Sequence, residues 1–158
     1  MQLAVARGIQ VIGTTSEANE EYVRSLGATP VRYGSGLAER IADTADGRRV
    51  DASIDLAGTR EAGDYAVAVM RAGGAAVTLV PETMSSHGIR LVQTRPSADG
   101  IRELAEALPS GALTLPVEPV PFERIVDAHR RLDAKHARGK LVLDLSDNPH
   151  LAAFQTGA

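Results

Sequence analysis

Two serines and a histidine stand together at residues 85–87, and this is the first place where the sequence could support nucleophilic chemistry. A hydroxyl beside an imidazole is the pair that acyl-transfer enzymes use as nucleophile and base. Side chains of neighbouring residues in a loop seldom point at one another, and the chain has no G-x-S-x-G nucleophile elbow. We therefore expect residues 85–87 to form a loop without hydrolytic activity.

Metal binding is the second chemistry to consider, because the chain contains four histidines. His129 and His136 lie seven residues apart on a predicted helix and share one face. Two-histidine metal sites normally use i, i+4 spacing together with a carboxylate. The absence of cysteine excludes thiolate zinc sites, disulfides and cysteine nucleophiles. We expect no metal site.

Charge and composition narrow the class of protein. The net charge is −3 and the basic residues are scattered, which argues against nucleic-acid binding. The sequence has no apolar run near the ~20 residues of a membrane span, and no signal-peptide pattern at its start. We expect a cytoplasmic protein without a membrane partner, and the lack of cysteine is consistent with a reducing compartment.

The apolar pattern alternates between helical and strand-like stretches, which predicts βαβ units and a parallel sheet. Aromatic residues make up only 3% of the chain, so the core must consist of Ala, Val, Leu and Ile. We predict one α/β domain over 1–145 and a tail over 146–158 that could be disordered. Predicted strands cover 10–15, 29–33, 50–58, 75–81, 88–96 and 140–146; predicted helices cover 2–7, 16–28, 36–45, 61–74, 97–111 and 122–139.

The order of these segments resembles a known family. The succession QLAVARG, QVIGTTSEAN, SLGA, VDASIDLAG and MRAGGAAVTLV resembles the cofactor-binding part of medium-chain dehydrogenases/reductases, in particular their zinc-independent quinone oxidoreductase branch. The segment PVPFERIVDAHRRLDAKHARGKLVLDL resembles that family's closing helix and strand. The resemblance covers nearly all of residues 1–145 and implies a Rossmann-like, doubly wound parallel sheet.

The sequence departs from the family at its start. The resemblance implies a substrate domain, a first strand and a glycine-rich turn before residue 1, and the chain has none of these. The absent strand is central in a doubly wound sheet, so the strands at 10–15 and 50–58 would face each other across a gap. Unpaired strand edges are templates for pairing. We expect a homo-oligomer, or a heteromeric partner that supplies a strand.

The resemblance also implies a nucleotide site at the strand ends. Gly13, Thr14, Thr15 and Ser16 follow the strand where Rossmann proteins select their cofactor, and the hydroxyls there favour NADP over NAD, whose ribose usually meets an acidic residue. Ser16 could equally be only a helix N-cap. The family often has a lysine a few residues further along the chain. This sequence has Asn19 at that position, with Glu20 beside it, and the loss of positive charge weakens the argument for NADP.

Other residues enter the site through the same resemblance. Tyr33 matches a family tyrosine that lies near the 2′-phosphate of NADP. Alternatively, it is only an aromatic residue at the end of a strand. The family's turn beneath the cofactor corresponds to Asp55 and Gly58, although Asp55 could instead cap the next helix. Leu79 and Val80 match the strand end that flanks the nicotinamide, or belong to a buried strand. Lys135 matches a basic residue facing the cofactor phosphate, or is a helix C-terminal cation.

Two kinds of function follow from these observations. The first is an NADP(H)-dependent quinone or enone reductase that acts on a small-molecule acceptor, or a truncated remnant of such an enzyme. The second is a non-catalytic Rossmann-like module that serves as a subunit or binds a partner, or a scaffold with different chemistry in which Asp55, Tyr33 or His87 has a new role.

Overall fold

Helices and strands alternate along the chain, as the apolar pattern predicts. The computed structural model describes residues 1–134 and 137–146. The helices are α1 (Gln2–Ala6), α2 (Glu20–Ser25), α3 (Leu37–Thr44), α4 (Arg60–Arg71), α5 (Pro81–His87), α6 (Ala98–Ala107) and α7 (Ile125–Asp133). The strands are β1 (Ile12–Thr15), β2 (Thr29–Arg32), β3 (Ala52–Asp55), β4 (Ala75–Thr78), β5 (Arg90–Leu91), β6 (Val117–Pro121) and β7 (Lys140–Asp144).

Every strand pair in this part of the chain is parallel. β1 pairs with β2, β3 pairs with β4, β4 pairs with β5, and β6 pairs with β7. A helix lies between most consecutive strands, as parallel pairing requires of its crossover connections. The prediction of an α/β fold is confirmed.

One helix was not predicted. Residues 81–87 form α5, with Pro81 at its first turn and Gly88 in the left-handed conformation (φ 67°) just after it. Proline at the start and glycine just after the end are the usual boundaries of a helix. The expectation that residues 85–87 lie in a loop is therefore wrong, and the side chains of Ser86 and His87 are oriented by a helix.

The contacts divide the chain into two compact units, Met1–Glu103 and Leu104–Ala158. In the first unit, α4 contributes to two apolar clusters. Tyr65 packs against the cluster of Val31, Leu37 and Ile41. On the same helix, Ala66 belongs to the second cluster, together with Ala76 and Ile89. α4 therefore links the β1–β2 pair to the three-stranded sheet of β3, β4 and β5.

The first unit contains an open sheet edge. Among the described residues no ladder joins β1 to β3, in agreement with the gap that the resemblance implies. The segments leading into the two strands do meet, because the Arg48 guanidinium donates to the Gln10 side chain at 2.6 Å. Ile12 and Val50 also pack against one cluster. Each of the two strands is thus left with one unpaired edge.

In the second unit, α7 packs against the β6–β7 pair. Arg131 donates two hydrogen bonds of 2.7 Å to the Glu118 carboxylate, and these bonds hold the pKa of Glu118 below its usual value. α7 contacts β6, and Val120 of β6 and Ala128 of α7 are both buried. The predicted domain boundary at residue 145 stays a prediction, since the tail beyond residue 146 lies outside the described residues.

Candidate functional site

Asp55 links the ends of β3 and β4. Its carboxylate, with the residue only 3% exposed, accepts hydrogen bonds from the backbone N–H groups of Ala57 (3.1 Å) and Gly58 (2.9 Å) through Oδ1. The other oxygen accepts from the Thr78 hydroxyl at 2.8 Å. Thr83, on α5, also donates to this carboxylate. Three structural elements therefore converge on one buried charge, which we call the Asp55 hub (Asp55, Thr78 and Thr83).

The hub keeps Asp55 ionised. Burial alone would raise the pKa of this carboxyl group, because burial penalises the charged form. The hydrogen bonds from Gly58, Thr83, Thr78 and Ala57 outweigh burial, and the pKa lies below its ordinary value. The carboxylate is therefore occupied by bonds within the protein, and it holds the turn at residues 55–58.

Gly58 and Val80 bring the two strand ends into contact. Gly58 adopts a positive φ of 71°, and a Cβ added there would lie 2.6 Å from Val80 Cγ1. The Val80 N–H in turn donates to the Thr78 hydroxyl at 2.9 Å, which fixes the backbone after β4. Leu79 is 40% exposed beside them. The predicted residues Asp55, Gly58, Leu79 and Val80 thus form one group.

The predicted residues that follow β1 differ in accessibility. Thr14 is exposed, whereas Thr15 is buried. Gly13 is also buried, and a Cβ on Gly13 would meet the side chains of Met1 and Val23 at 2.5 and 3.0 Å. Gly13 therefore makes room for α1 and α2 to pack, and Thr14 is the residue whose side chain is open to a ligand.

Ser16 occupies the N-cap position of the short 3-10 turn Glu17–Asn19 but makes no capping hydrogen bond. Instead, its hydroxyl accepts from the Asn19 side-chain amide at 3.2 Å. The hydroxyl is thus tied to the residue that stands at the position of the family lysine. The interpretation of Ser16 as a helix N-cap holds for its position and not for its hydrogen bonding.

Tyr33 extends the β1–β2 pair, because its N–H donates to the Thr15 carbonyl at 3.2 Å. Its side chain is 57% exposed. The loop around it is held by Arg40, whose guanidinium donates to the carbonyls of Arg32, Gly34 and Ser35 at 2.7 to 3.1 Å. The predicted adenosine-side residues Thr14, Thr15, Ser16 and Tyr33 therefore form a second group, at the carboxyl ends of β1 and β2.

Charged residues surround this second group. Arg32 bridges Glu20 at 2.6 Å and Glu17 at 2.8 Å. The hydrogen bond from Arg32 lowers the pKa of Glu20, which is therefore ionised at neutral pH. Arg24 also contacts Glu20 at 3.2 Å, and Arg40 is bonded to the adjoining loop. These charges are therefore paired within the protein, which is less favourable to a phosphate than a free lysine would be.

Of the residues predicted to bind the cofactor, Lys135 lies outside the described residues, as does His136. No group of three His, Cys, Asp or Glu residues that could hold a metal ion occurs within residues 1–134 and 137–146. In the same part of the chain, none of the helices has both the length and the apolar character needed to cross a membrane. The metal expectation itself stays a prediction.

A third group of polar side chains contains Ser86 and His87, for which the sequence predicts no hydrolytic activity, and adds Asp64, which the sequence does not single out. Ser86 Oγ lies 2.7 Å from His87 Nδ1, and His87 Nε2 lies 3.3 Å from Asp64 Oδ1 on α4. All three residues line a cavity of about 470 Å³ with Gly58, Arg60, Glu82 and Thr83. The pattern that could have identified the group is the helix boundary signal of Pro81 and Gly88.

Comparisons with known proteins agree with the resemblance. The zinc-binding dehydrogenase family matches residues 26–143. An NADPH-dependent alkenal/one oxidoreductase, chloroplastic, from Arabidopsis thaliana is 34% identical over 138 residues, which are 85% of this chain and 33% of the relative. A probable zinc-binding oxidoreductase, mitochondrial, from Arthroderma benhamiae is 28% identical over 144 residues, 84% of this chain and 43% of the relative.

Solved structures give the same result. The quinone oxidoreductase from Coxiella burnetii superposes with a TM-score of 0.69 at 26% identity, over 90% of this chain and 47% of that one. The enoyl reductase CurK, at 21% identity and a TM-score of 0.68, supports the fold alone. The chain therefore spans less than half the length of these relatives and has their Rossmann-like α/β fold. By these matches, it belongs to the zinc-binding dehydrogenase family of the medium-chain dehydrogenase/reductase superfamily.

Proposed function

We propose that this chain is the nucleotide-binding part of an NADP(H)-dependent oxidoreductase that reduces a quinone or an enone. The Asp55 hub is the observation that carries the proposal. It fixes the ends of two adjacent parallel strands, and ligands of open α/β sheets bind beyond the carboxyl ends of the strands. The oxidoreductase names of the Arabidopsis and Coxiella relatives support the same reaction class.

The residues present fit the two ends of a dinucleotide. Gly58 adopts a positive φ that favours glycine, and Val80 fills the space that a side chain would need there, so the turn lies close against the strand end that carries the exposed Leu79. This group would hold the nicotinamide end. Thr14 and Tyr33, both exposed, would hold the adenosine end. The hydroxyls of Thr14 and Ser16 favour a 2′-phosphate, while Glu17 and Glu20 oppose it, so we propose a modest preference for NADP.

The family name implies zinc, and the described residues do not fit it. The chain has no cysteine, and no cluster of three ligating side chains was found in its described part. The proposed reaction uses no metal-bound group of these residues.

Chemistry and positioning are divided between cofactor and protein. The bound nicotinamide would supply the hydride that reduces the acceptor. The chain's own contribution is orientation. The Asp55 carboxylate stays ionised and holds the 55–58 turn, and the Thr78 hydroxyl holds the backbone N–H of Val80. Val80, packed on Gly58, keeps these two strand ends at a fixed separation.

We also propose that another strand completes the sheet between β1 and β3. The unpaired edges of both strands would leave backbone N–H and C=O groups without partners if they were buried. Ile54, in the middle of β3, is 64% exposed, and Leu56 just after the strand is 69% exposed. Parallel strands are normally covered on both faces. A second copy of the chain, or a partner, would supply the strand and cover these side chains.

Hydride transfer tests the function. The purified chain should oxidise NADPH slowly in the presence of a quinone or an α,β-unsaturated ketone, and oxidise NADH more slowly. Asp55→Asn should lower this rate. The new side-chain amide N–H would face a group that now donates to the carboxylate, such as the Thr78 hydroxyl. The matched control is Asp51→Asn, because the Asp51 carboxylate is exposed. This variant should leave the rate unchanged. Equal rates for Asp55→Asn and the unaltered chain would contradict the positioning role.

A further inference from the structure

We propose that Ser86, His87 and Asp64 form a nucleophilic site that accepts acyl groups from small uncharged carboxylic esters, an activity independent of nucleotide binding. The three side chains form a continuous hydrogen-bonded series. Ser86 Oγ lies 2.7 Å from His87 Nδ1, and His87 Nε2 lies 3.3 Å from Asp64 Oδ1. A nucleophile, a base and a group that orients the base, all within hydrogen-bond reach, are the signature of covalent catalysis.

The imidazole is held in place by contacts with α4. The His87 side chain is 15% exposed, and its ring lies against Gly63 of α4. A Cβ added to Gly63 would meet ring atoms Cε1, Nδ1 and Nε2 at 2.6 to 2.7 Å, so only glycine leaves room for the ring. α4 thus contributes both the glycine beneath the ring and the Asp64 carboxylate that faces Nε2.

The Asp64 contact selects the tautomer that a base requires. A carboxylate accepts hydrogen bonds, so the neutral ring carries its proton on Nε2, and Nδ1 is left with a lone pair. The Ser86 hydroxyl donates to the Glu82 carbonyl at 2.7 Å, and its oxygen lies 2.7 Å from Nδ1. Rotation of the O–H bond turns the proton from the carbonyl to the ring. With Nδ1 unprotonated, the hydroxyl proton can move to the ring when the oxygen attacks.

The cavity determines the class of ester. Its volume of about 470 Å³ suits a small acyl group. The carboxylates of Asp64 and Glu82 outnumber the single guanidinium of Arg60 in its lining, which disfavours anionic esters. Arg60 is 88% exposed at its side chain, lies 3.7 Å from Asp64, and supplies the positive charge for the developing oxyanion.

The reaction balances with water as the co-reactant. Ser86 Oγ forms a bond to the ester carbonyl carbon while its proton moves to His87 Nδ1. Collapse of the tetrahedral adduct breaks the bond to the alcohol oxygen, and the alcohol leaves with the proton from His87. Water then attacks the acyl-serine, gives a proton to His87, and releases the carboxylic acid as Ser86 regains its hydrogen.

A fluorophosphonate tests the site without depending on turnover, because it labels an activated serine oxygen as fluoride leaves. The full chain should be labelled at Ser86, as located by peptide mass spectrometry. It should also hydrolyse p-nitrophenyl acetate, with Ser86→Ala lowering the rate by ~100-fold, within the range for general-base catalysis. His87→Gln should lower labelling and hydrolysis together.

Ser85→Ala is the matched control, because Ser85 lies on the same helix and its hydroxyl only donates to the Pro81 carbonyl at 3.0 Å. This variant should react like the unaltered chain. Gly63→Ala displaces the imidazole while Ser86, His87 and Asp64 all keep their chemical identity, and it should lose labelling while its circular dichroism persists. A folded chain in which Ser86 is unlabelled, or labelled no more than Ser85, would overturn the proposal.

Discussion

At the scale of single residues, Asp55 is the side chain on which the proposed nucleotide site depends most. Thr78 is fully buried and Thr83 is 2% exposed, and the hydroxyls of both serve the Asp55 carboxylate. A buried carboxylate with a full set of donors is stable, whereas one that has lost its donors is costly. The Asp55 hub therefore has two effects. It stabilises the fold, and it fixes the ends of β3 and β4, where the proposed site lies.

Asp55 should make the stability of the protein depend on pH. The pKa of Asp55 is lower in the folded protein than in the unfolded chain. Its contribution to the free energy of unfolding is therefore fully present above the unfolded pKa of ~3.9, and it is lost as the pH falls through the folded pKa. Asp55→Asn should lower the free energy of unfolding by ~2 kcal/mol at neutral pH. The deficit should shrink below pH ~4. Urea unfolding across this range measures it, with the exposed Asp51→Asn as control, and a constant deficit would contradict the account.

Asn19 should control the choice of cofactor. Replacement by lysine breaks the hydrogen bond that ties Ser16 Oγ to Asn19. It also adds a positive charge near Glu17 and Glu20, where the 2′-phosphate of NADP is expected. Asn19→Lys should tighten NADPH binding by roughly tenfold, about 1.4 kcal/mol, and leave NADH binding unchanged. Calorimetric titration of the variant and of Asn19→Gln measures the effect, and equal tightening for both nucleotides would contradict it.

The sequence pointed to residues that lie together in the structure, and it did not reveal the contacts that hold them there. The resemblance pointed to Asp55, Gly58 and Val80, and the structure brings them together. It could not show that Thr78 and Thr83 complete the hub, because neither threonine has a local pattern that distinguishes it from other strand and helix residues. The exposed Thr14 and buried Thr15 are likewise equivalent in the sequence, and only the alternation along β1 separates them.

At the scale of elements, glycines mark the ends of helices in the sequence. The existence and the length of the shortest elements could not be predicted in this way. Gly8 and Gly27 adopt positive φ two residues after the last residues of α1 and α2. α5 escaped prediction because PETMSSH lacks an apolar repeat, and its position depends on Thr83 and His87 packing against other elements. β5 has two residues rather than the predicted nine, because pairing with β4 extends only from Arg90 to Leu91.

Gly58 allows a direct test of how the ends of β3 and β4 pack. Gly58→Ala introduces both a strained positive φ and a contact with Val80, whereas Gly8→Ala introduces only the strain, since nothing lies within 4 Å of the added Cβ. Gly8→Ala should cost ~1 kcal/mol and Gly58→Ala ~3 kcal/mol in thermal unfolding. Val80→Ala in the Gly58→Ala background should recover part of the difference, and equal costs for the two single variants would contradict the packing.

At the scale of the whole molecule, the open edges between β1 and β3 predict self-association or a requirement for a partner. Light scattering at increasing protein concentration should reveal species heavier than the monomer. Ile54→Lys places a charge on the exposed face of β3 and should shift the population toward monomer, because charged side chains block pairing and packing at strand edges. Thr114→Lys, in an exposed segment of the second unit, serves as the control. A monodisperse monomer at all concentrations would argue against strand donation.

Cofactor binding tests the central claim most directly. Purified chain should be titrated with NADPH and, separately, with NADH while nicotinamide fluorescence is followed. The account predicts saturable binding of NADPH with an affinity above that for NADH, and weaker binding when Gly58→Ala disturbs the contact between β3 and β4. No saturable signal from either nucleotide up to millimolar concentration would contradict it.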